Sequence, residues 1–489
     1  MFSILAVCSL GLHSTVVADE NAATVSQYAR QINEHFGKGV TPETNAVVAV
    51  YQAFGPHPEN ANLPPAFFRE LGIPIPPEEG NYFKVKLEGM PSEEFNGQMD
   101  AAMEKPWTRE QLPKMAEWIE KNAEPVRILT DGLDRPHWYS PMIPPDSVDG
   151  EQGTLAHVLL PAVQQLRAVA RMLSCRAMLH AGEGRHEAAM RDVLLIHKLG
   201  RRSGEGTCLI EHLVGCAIQA IATDRTIALT RHHRLELDAL QRIRAEFDRL
   251  PPVPKLQSQV SVTERAMVLE LIDLMESGRY ELLGLYSNEP PEKSAELMLS
   301  LIDYSVVRRR VFDEFSEFSE IMLTESIMDK SKLIASFRTR CETEAQLSIE
   351  SLARNYLQER TISGALSGMA GDYVTTQTVL PLSQGLVANH RTVARDQLLK
   401  TMFALEVYER RNGRYPDSLS DIVPSVLAEP AIDPCSGEEL RYQQTSTGYR
   451  LYSLGENCRD DAGQTFGETP SGDDLIVRMD RTTATASSP

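Results

Sequence analysis

Helical periodicity dominates the chain between about residue 150 and residue 390. Apolar residues recur there at spacings of three and four, as in the series Leu159, Val163, Leu166, Val169, Leu173 and Ala177. Residues at these spacings share one face of an α-helix, so the series predicts a long amphipathic helix. The apolar character of residues 207–229 on nearly all sides is typical of the central helix of a bundle. We therefore predict a helical domain over residues 150–390.

A helical hairpin is predicted at the first interruption of this pattern. The periodicity stops at Gly182 and Gly184 and restarts with Ala189 and Val193 on one face. The small-residue turn and the alanine-rich second helix resemble a tetratricopeptide helix pair. The roughly 34-residue period of such repeats does not recur, so the resemblance covers this hairpin alone.

Prolines interrupt residues 19–149 at short intervals. Helical patterns at residues 24–36, 43–54 and 108–121 are separated by proline-rich runs such as IPIPPEEG. Because a residue that precedes proline avoids helical geometry, the helices of this region must be short. We predict an irregular, mainly helical region. Its aromatic cluster at residues 135–139 is interpreted either as a plug over the helical domain or as the lining of a pocket.

The last hundred residues combine a helix with strands. The helix ends at Gly413, where glycine adopts the left-handed backbone of a helix C-terminus. Alternating polarity at residues 440–443, 449–454 and 474–479 predicts three short antiparallel strands. The helix is expected to pack on this sheet as an α+β module over residues 391–480.

The fold class that follows is mainly α. We predict a large, independent helical bundle or hairpin array, to which the small C-terminal α+β module, a helix on an antiparallel sheet, is appended as a compact unit. The proline-rich region precedes the bundle, and residues 481–489 are predicted to form a disordered tail.

The N-terminal residues 1–18 have a targeting pattern. A stretch of roughly eleven apolar residues is followed by small residues, which indicates an export signal or a truncated membrane anchor. The stretch is shorter than the roughly twenty residues that span a bilayer, and a buried N-terminal helix is the alternative. We expect an exported protein that is periplasmic, at the cell surface, or tethered to a membrane through its N-terminus and facing outward.

Composition narrows the function classes. The chain has 489 residues, of which 49 are Lys or Arg and 68 are Asp or Glu, so its formal charge is −19. An acidic surface repels nucleic acid, and protein partners are expected instead. The HExxH, GxSxG and P-loop motifs are missing, as is a GxGxxG motif after a strand. These absences lower the expectation of an enzyme without deciding the question.

Two of the seven cysteines, Cys435 and Cys458, fall in loops of the C-terminal module. Export to an oxidising compartment would allow this pair to form a disulfide, which we predict. Closing a loop of roughly 24 residues would stabilise the module by about 3 kcal/mol through the entropy of the unfolded chain. Cys175, Cys208 and Cys216 lie in apolar helical patterns and are interpreted as small buried residues.

The C-terminal module carries a series of motifs in a distinctive order. They are Ala404, Leu405 and Tyr408, then Asn412 to Pro416, Asp433-Pro434, Leu440 to Tyr442, Leu451 to Gly455, and Asp473-Asp474. With these motifs the segment resembles the globular region of the major pseudopilins of type II secretion systems. The resemblance covers about 90 of the 489 residues. The N-terminal assembly signal of that family is absent, so a fibre-forming role is not implied.

The resemblance implies a calcium site in the loop after the LYSLG strand. Its candidate ligands are the Leu454 backbone and the carboxylates of Asp473 and Asp474. Asp460 and Asp461 are added to this set because they are acidic residues of the same loop. Their carboxylate oxygens suit calcium, a hard cation that takes six to eight oxygen ligands. Solvated acids in a surface loop are the alternative interpretation.

These observations favour a non-enzymatic scaffold or envelope-associated interaction protein with a pseudopilin-like module. An extracytoplasmic hydrolase, with a site between the N-terminal region and the helical domain, is one alternative. A secretion-system accessory component is another, and it rests on fold analogy.

Overall fold

The computed structural model describes residues 27–145, 153–279, 300–324, 326–346 and 348–480. The predicted export signal at residues 1–18 and the predicted tail at residues 481–489 lie outside these ranges. Within them the fold is mainly helical, with one three-stranded antiparallel sheet near the C-terminus. The predicted fold class is confirmed.

The N-terminal region is built from short helices, as its prolines predict. They are α1 (Gln27–Phe36), α2 (Val47–Phe54), α3 (Pro65–Glu70), α4 (Ser92–Glu104), α5 (Pro113–Lys121) and α6 (Ala123–Gly132). Pro65 and Pro113 occupy the first helical position, where the missing N–H costs no hydrogen bond. Trp138 and Tyr139 are buried, which favours the plug interpretation of the aromatic cluster over the pocket.

The bundle begins with four helices, α7 (Val163–Gly182), α8 (His186–Ser203), α9 (Leu209–His232) and α10 (Leu237–Asp248). The predicted hairpin between α7 and α8 is confirmed, and Gly184 supplies the left-handed backbone of its turn. Helix α9 packs against both partners, as a central helix does. Several of its polar residues are nevertheless buried, and Thr223, Thr226 and Thr230 donate their hydroxyl protons to the carbonyls four residues earlier.

The second half of the bundle starts with a π-helix, Gln259–Glu264, which continues into α11 (Arg265–Glu276). The further helices are α12 (Tyr304–Leu323), α13 (Ile327–Glu344), α14 (Ile349–Glu359) and α15 (Ile362–Asn412). Helix α15 is 51 residues long and contains Pro381. No helix within the described ranges combines the length and the apolar character that crossing a membrane requires.

Three strands follow α15 in the sequence: β1 (Arg441–Gln444), β2 (Gly448–Ser453) and β3 (Leu475–Asp480). They pair in the order β1-β2-β3, and Leu451 lies opposite Tyr442 on one side and Val477 on the other. The inward face carries Tyr449, Leu451, Val477 and Met479, which are all buried. Alternate residues such as Arg450 are exposed, so the period of two predicted from the sequence is present.

The C-terminal module and the bundle share one apolar core. A single apolar cluster extends from Ala46 in the N-terminal region, through the bundle, to Met479 in β3. The predicted boundary between residues 390 and 391 falls inside α15, which continues through it as helix. The sheet packs on the second half of this helix, and its core is therefore part of the bundle core.

Candidate functional site

The candidate site is the acidic loop, residues 454–474, which joins β2 to β3. Two glycines give the loop its shape, because Gly455 and Gly463 have positive φ angles of 65° and 76°. At Gly455 the backbone approaches Asp473 so closely that a Cβ atom would lie 2.2 Å from the Asp473 carbonyl oxygen. The two ends of the loop therefore meet, and the residues between them form a compact projection from the sheet.

Asp433 anchors the start of the acidic loop. Its buried carboxylate accepts hydrogen bonds from the Ser453 Oγ at 2.7 Å and the Leu454 N–H at 3.0 Å. It also accepts bonds from the Cys435 N–H and the Ser436 Oγ, at 3.0 and 3.1 Å. One carboxylate thus fixes both the turn after Asp433 and the end of β2.

Asp473 and Asp461 join the two arms of the loop. The Asp473 Oδ2 accepts hydrogen bonds from the N–H groups of Glu456 and Asn457 at 2.8 and 3.1 Å. The Asp461 Oδ2 in turn accepts bonds from the Asp473 N–H at 2.8 Å and from the Asn457 side chain at 3.0 Å. The Asp473 Oδ1 forms an ion pair with Arg391, which ties the loop to α15.

Asp474 and Asp460 occupy contrasting environments. Asp474 is 1% exposed, and its Oδ2 accepts a hydrogen bond from the Gly463 N–H at 2.8 Å, whereas its buried Oδ1 has no hydrogen-bond partner. Burial raises the pKa of Asp474 to about 6, and the nearby carboxylates of Asp461 and Asp460 act in the same direction. Asp460 is exposed and accepts hydrogen bonds from the Tyr452 hydroxyl at 3.1 Å and the Ala462 N–H at 2.9 Å.

The structure thus brings Asp461, Asp473 and Asp474 into one hydrogen-bonded loop with Leu454 at its start, and places Asp460 beside them. Among the residues that the structure describes, however, no three or more His, Cys, Asp or Glu side chains converge as a metal site would require. One oxygen of each of the four carboxylates accepts a backbone N–H group instead. The oxygen donors are of the type that calcium prefers, and the Asp474 Oδ1 is left unsatisfied, so the donor chemistry fits while the ligand set is not assembled. The calcium site stays a prediction.

The two cysteines of the predicted disulfide are neighbours with free thiols. The Cys458 Sγ lies 3.3 Å from the carbonyl oxygen of Cys435 and 3.6 Å from that of Glu456. Burial raises the pKa of the Cys435 thiol to about 12, and it also raises the pKa of Cys458. The loop brings the two residues together without joining them, and the disulfide stays a prediction.

The tip of the acidic loop presents an aromatic residue to solvent. Phe466 is 87% exposed and lies in a turn whose ends are held by Glu468. The Glu468 carboxylate accepts bonds from the Thr465 N–H at 2.6 Å and the Thr465 hydroxyl at 3.0 Å, and it pairs with Arg478 of β3 at 2.7 Å. The hydrogen bond from Arg478 lowers the pKa of Glu468 to about 2. The turn around Phe466 is therefore clamped to the sheet.

The sequence analysis missed four residues of this site: Asp433, Arg391, Glu468 and Phe466. The Asp-Pro-Cys-Ser sequence carried a local signal for Asp433, because aspartate commonly accepts the N–H two residues later. Arg391 and Arg478 bond to residues that lie 82 and 10 positions away, and side-chain pairing of this kind has no periodic signature. Phe466 stands alone in a polar stretch, which gives no periodic signal for its role.

The region between the N-terminal helices and the bundle, where a hydrolase site was one alternative, is packed closely. A Cβ atom on Gly182 of α7 would lie 2.0 Å from the carbonyl oxygen of Trp107, so the two backbones are in contact there. Two acids accept backbone N–H groups near the start of α9. Glu211 accepts a bond from the Thr207 N–H at 2.7 Å, and Glu264 accepts one from the Leu209 N–H at 2.9 Å. Burial raises the pKa of both to about 7.

No protein-family model, curated protein or solved structure matches this chain.

Proposed function

We propose that the protein is an exported, non-enzymatic scaffold that contacts a protein partner through the acidic loop. The observation that carries this proposal is the exposure of Phe466 in a turn that Glu468 and Arg478 hold in place. An aromatic side chain on a rigid backbone loses little conformational freedom on binding, and aromatic residues are enriched among those that dominate interface energies. A lone aromatic residue at the tip of a clamped loop is therefore suited to insert into a pocket on a partner.

The state of the reactive side chains supports the scaffold over an enzyme. Burial raises the pKa of every thiol in the described residues: Cys175, Cys208, Cys216, Cys341, Cys435 and Cys458. A thiol with a raised pKa is a poor nucleophile. Glu211, which is buried, and Glu264, which is partly buried, each have a pKa of about 7 and accept a backbone N–H group near the start of α9. Both carboxylates thus have backbone partners at the positions where a catalytic role was considered.

Calcium is proposed as a ligand that stiffens the same loop. Asp474 would contribute its unsatisfied Oδ1, and Asp461, Asp473 and the Leu454 carbonyl would complete part of the ligand set after a local rearrangement. The ion would supply positive charge among carboxylates that otherwise repel one another. Asp433 would keep the end of β2 in place through the Leu454 N–H, and Arg391 would hold Asp473 on α15.

The experiment is site-specific photo-crosslinking in the native host. A photoreactive phenylalanine analogue is placed at Phe466, and the matched control carries it at Ile75, which is half exposed in the N-terminal region. We expect a discrete crosslinked protein from position 466 that is absent from position 75. Glu468→Ala should reduce this crosslink without touching the aromatic residue, because it releases the turn. Equal crosslinking at both positions, or none at 466, would refute the proposal.

A further inference from the structure

Helix α14 is turned with its polar side toward the protein and its apolar side toward solvent. Ser351 and Asn355 are buried against the neighbouring helices, whereas Ile349 and Leu357 are 86% and 62% exposed. An amphipathic helix on the surface of a soluble domain normally has the opposite orientation. The helix is well formed, since Ser348 and Ser351 complete a capping box at its start.

A buried polar network fixes this orientation. The Asn355 Oδ1 accepts a hydrogen bond from Arg310 of α12 at 2.7 Å, and its Nδ2 donates to Asp372 of α15 at 3.2 Å. Gly368 of α15 makes room for this side chain, because a Cβ atom there would lie 2.3 Å from the Asn355 Oδ1. Arg354 adds an ion pair with Asp372 at 3.5 Å. Rolling the helix to bury its apolar side would break the hydrogen bonds of Asn355 with Arg310 and Asp372 and the ion pair of Arg354, which is costly in a buried site.

The result is a set of exposed apolar side chains along and just after this helix, which we call the α14 patch. Its members are exposed and follow helical spacing, and they are Ile349, Leu352, Tyr356 and Leu357, together with Ile362 at the start of α15. Exposed apolar patches on soluble proteins commonly mark interaction surfaces.

We propose that a second copy of the chain covers the α14 patch, in a two-fold symmetric dimer whose α14 helices pack antiparallel. We choose a second copy as the partner because of the charges at the two ends of the helix. Glu350 is exposed at the start and Arg360 just after the end, and within the described part of the chain neither side chain forms an ion pair. The two residues are ten positions apart, or about 15 Å along a helix. Antiparallel packing brings each Glu350 against the Arg360 of the other copy, and a two-fold axis repeats the pair.

Charge also argues against a membrane as the occupant. A helix that binds in the plane of a lipid surface carries basic residues on its polar face, and here that face is buried in the network of Asp372 and Arg310. The chain as a whole has a net charge of −19, which opposes anionic lipid. With only about 16 Å of helix in each copy, the interface falls at the small end of stable interfaces, so dissociation on dilution is expected. The proposal does not depend on the function assigned to the acidic loop.

The test is sedimentation velocity of the full mature chain over a concentration series. We expect a dimer that dissociates on dilution, and Leu357→Glu should weaken it by at least about 100-fold because it places charges at the centre of an apolar contact. Leu323→Glu, a change at an equally exposed leucine at the end of α12, is the matched control and should leave the dissociation constant unchanged. Circular dichroism of each variant checks that it is folded.

Charge reversal tests the antiparallel arrangement. Glu350→Lys and Arg360→Glu should each weaken the dimer roughly five- to tenfold, because each replaces two attractive pairs by two repulsive ones. The double variant should recover the wild-type dissociation constant, since it restores both pairs with their signs exchanged. A monomer at every concentration, a dimer that survives Leu357→Glu, or co-sedimentation with phosphatidylcholine vesicles instead of self-association would overturn the proposal. Failure of the double variant to recover would overturn the antiparallel arrangement.

Discussion

Replacing Asp433 tests whether one buried carboxylate holds the acidic loop on the sheet. Asp433 is 1% exposed and accepts four hydrogen bonds of 2.7 to 3.1 Å, two of them from backbone N–H groups. Asp433→Ala removes all four hydrogen bonds and leaves the N–H groups of Cys435 and Leu454 without this acceptor. Hydrogen bonds to a charged group contribute about 1.5 to 3 kcal/mol each, but the two serine hydroxyls can turn to other acceptors. We therefore expect a local destabilisation of about 3 to 5 kcal/mol.

Hydrogen–deuterium exchange with mass spectrometry measures this effect where it occurs. Global unfolding is unsuitable for a chain of this size, because its transition need not be two-state. A loss of about 3 kcal/mol in the free energy of local opening accelerates exchange at least about 100-fold. We expect that acceleration in peptides that contain the amides of Cys435 and Leu454.

The control is Asp460→Ala, in the same loop. Asp460 is exposed and its bonds to Tyr452 and Ala462 face solvent, so its loss should change the local free energy by no more than about 0.5 kcal/mol. If Asp433→Ala leaves the exchange of Leu454 at the wild-type rate, the loop is held by something else and the reasoning fails.

Three further predictions concern pH, oxidation and calcium. Burial raises the pKa of Glu211 from 4.5 to about 7, so the fold favours its protonated form and loses stability as pH rises from about 4.5 to about 7. Glu211→Gln should therefore stabilise the protein by about 3 kcal/mol at pH 8 and very little at pH 4, whereas an equal effect at both would contradict the buried charge. Mass spectrometry of the mature protein without reduction should give a mass two hydrogens lower than after reduction, and Cys458→Ser should abolish the difference; free thiols in freshly isolated protein would disprove the disulfide. Calcium should raise the melting temperature of wild-type protein and leave that of Asp474→Asn unchanged. If chelation does not change the melting temperature of the wild type, the calcium site is disproved.

The elements of the fold were largely predictable because they depend on local periodicity. The hairpin at Gly184 is predicted by an interruption of the helical period, and the strand around Leu451 by the turn that precedes it. Both signals lie within one short stretch of sequence. Periodicity identifies which residues are buried but not what they are buried against. The merging of the sheet with the bundle core was therefore missed, since it depends on contacts between Met479 and residues far away in the chain.

For α14, apolar periodicity predicts the wrong side of the helix to be buried. Its sequence places Ile349 and Leu357 on one side, and apolar periodicity alone would turn that side inward. The buried pairing of Asn355 with Arg310 and Asp372 decides otherwise. Polar networks of this kind join residues from three helices, so they become visible only when the helices are assembled.

The most direct test of the scaffold proposal is the affinity of the full chain for the protein crosslinked at position 466. With that partner purified, isothermal titration calorimetry compares wild type with Phe466→Ala and with the control Ile75→Ala. A residue that dominates an interface contributes about 2 kcal/mol or more, so Phe466→Ala should weaken binding at least about 30-fold while Ile75→Ala leaves it unchanged. Equal affinities for all three proteins would contradict the claim that this loop is the contact surface.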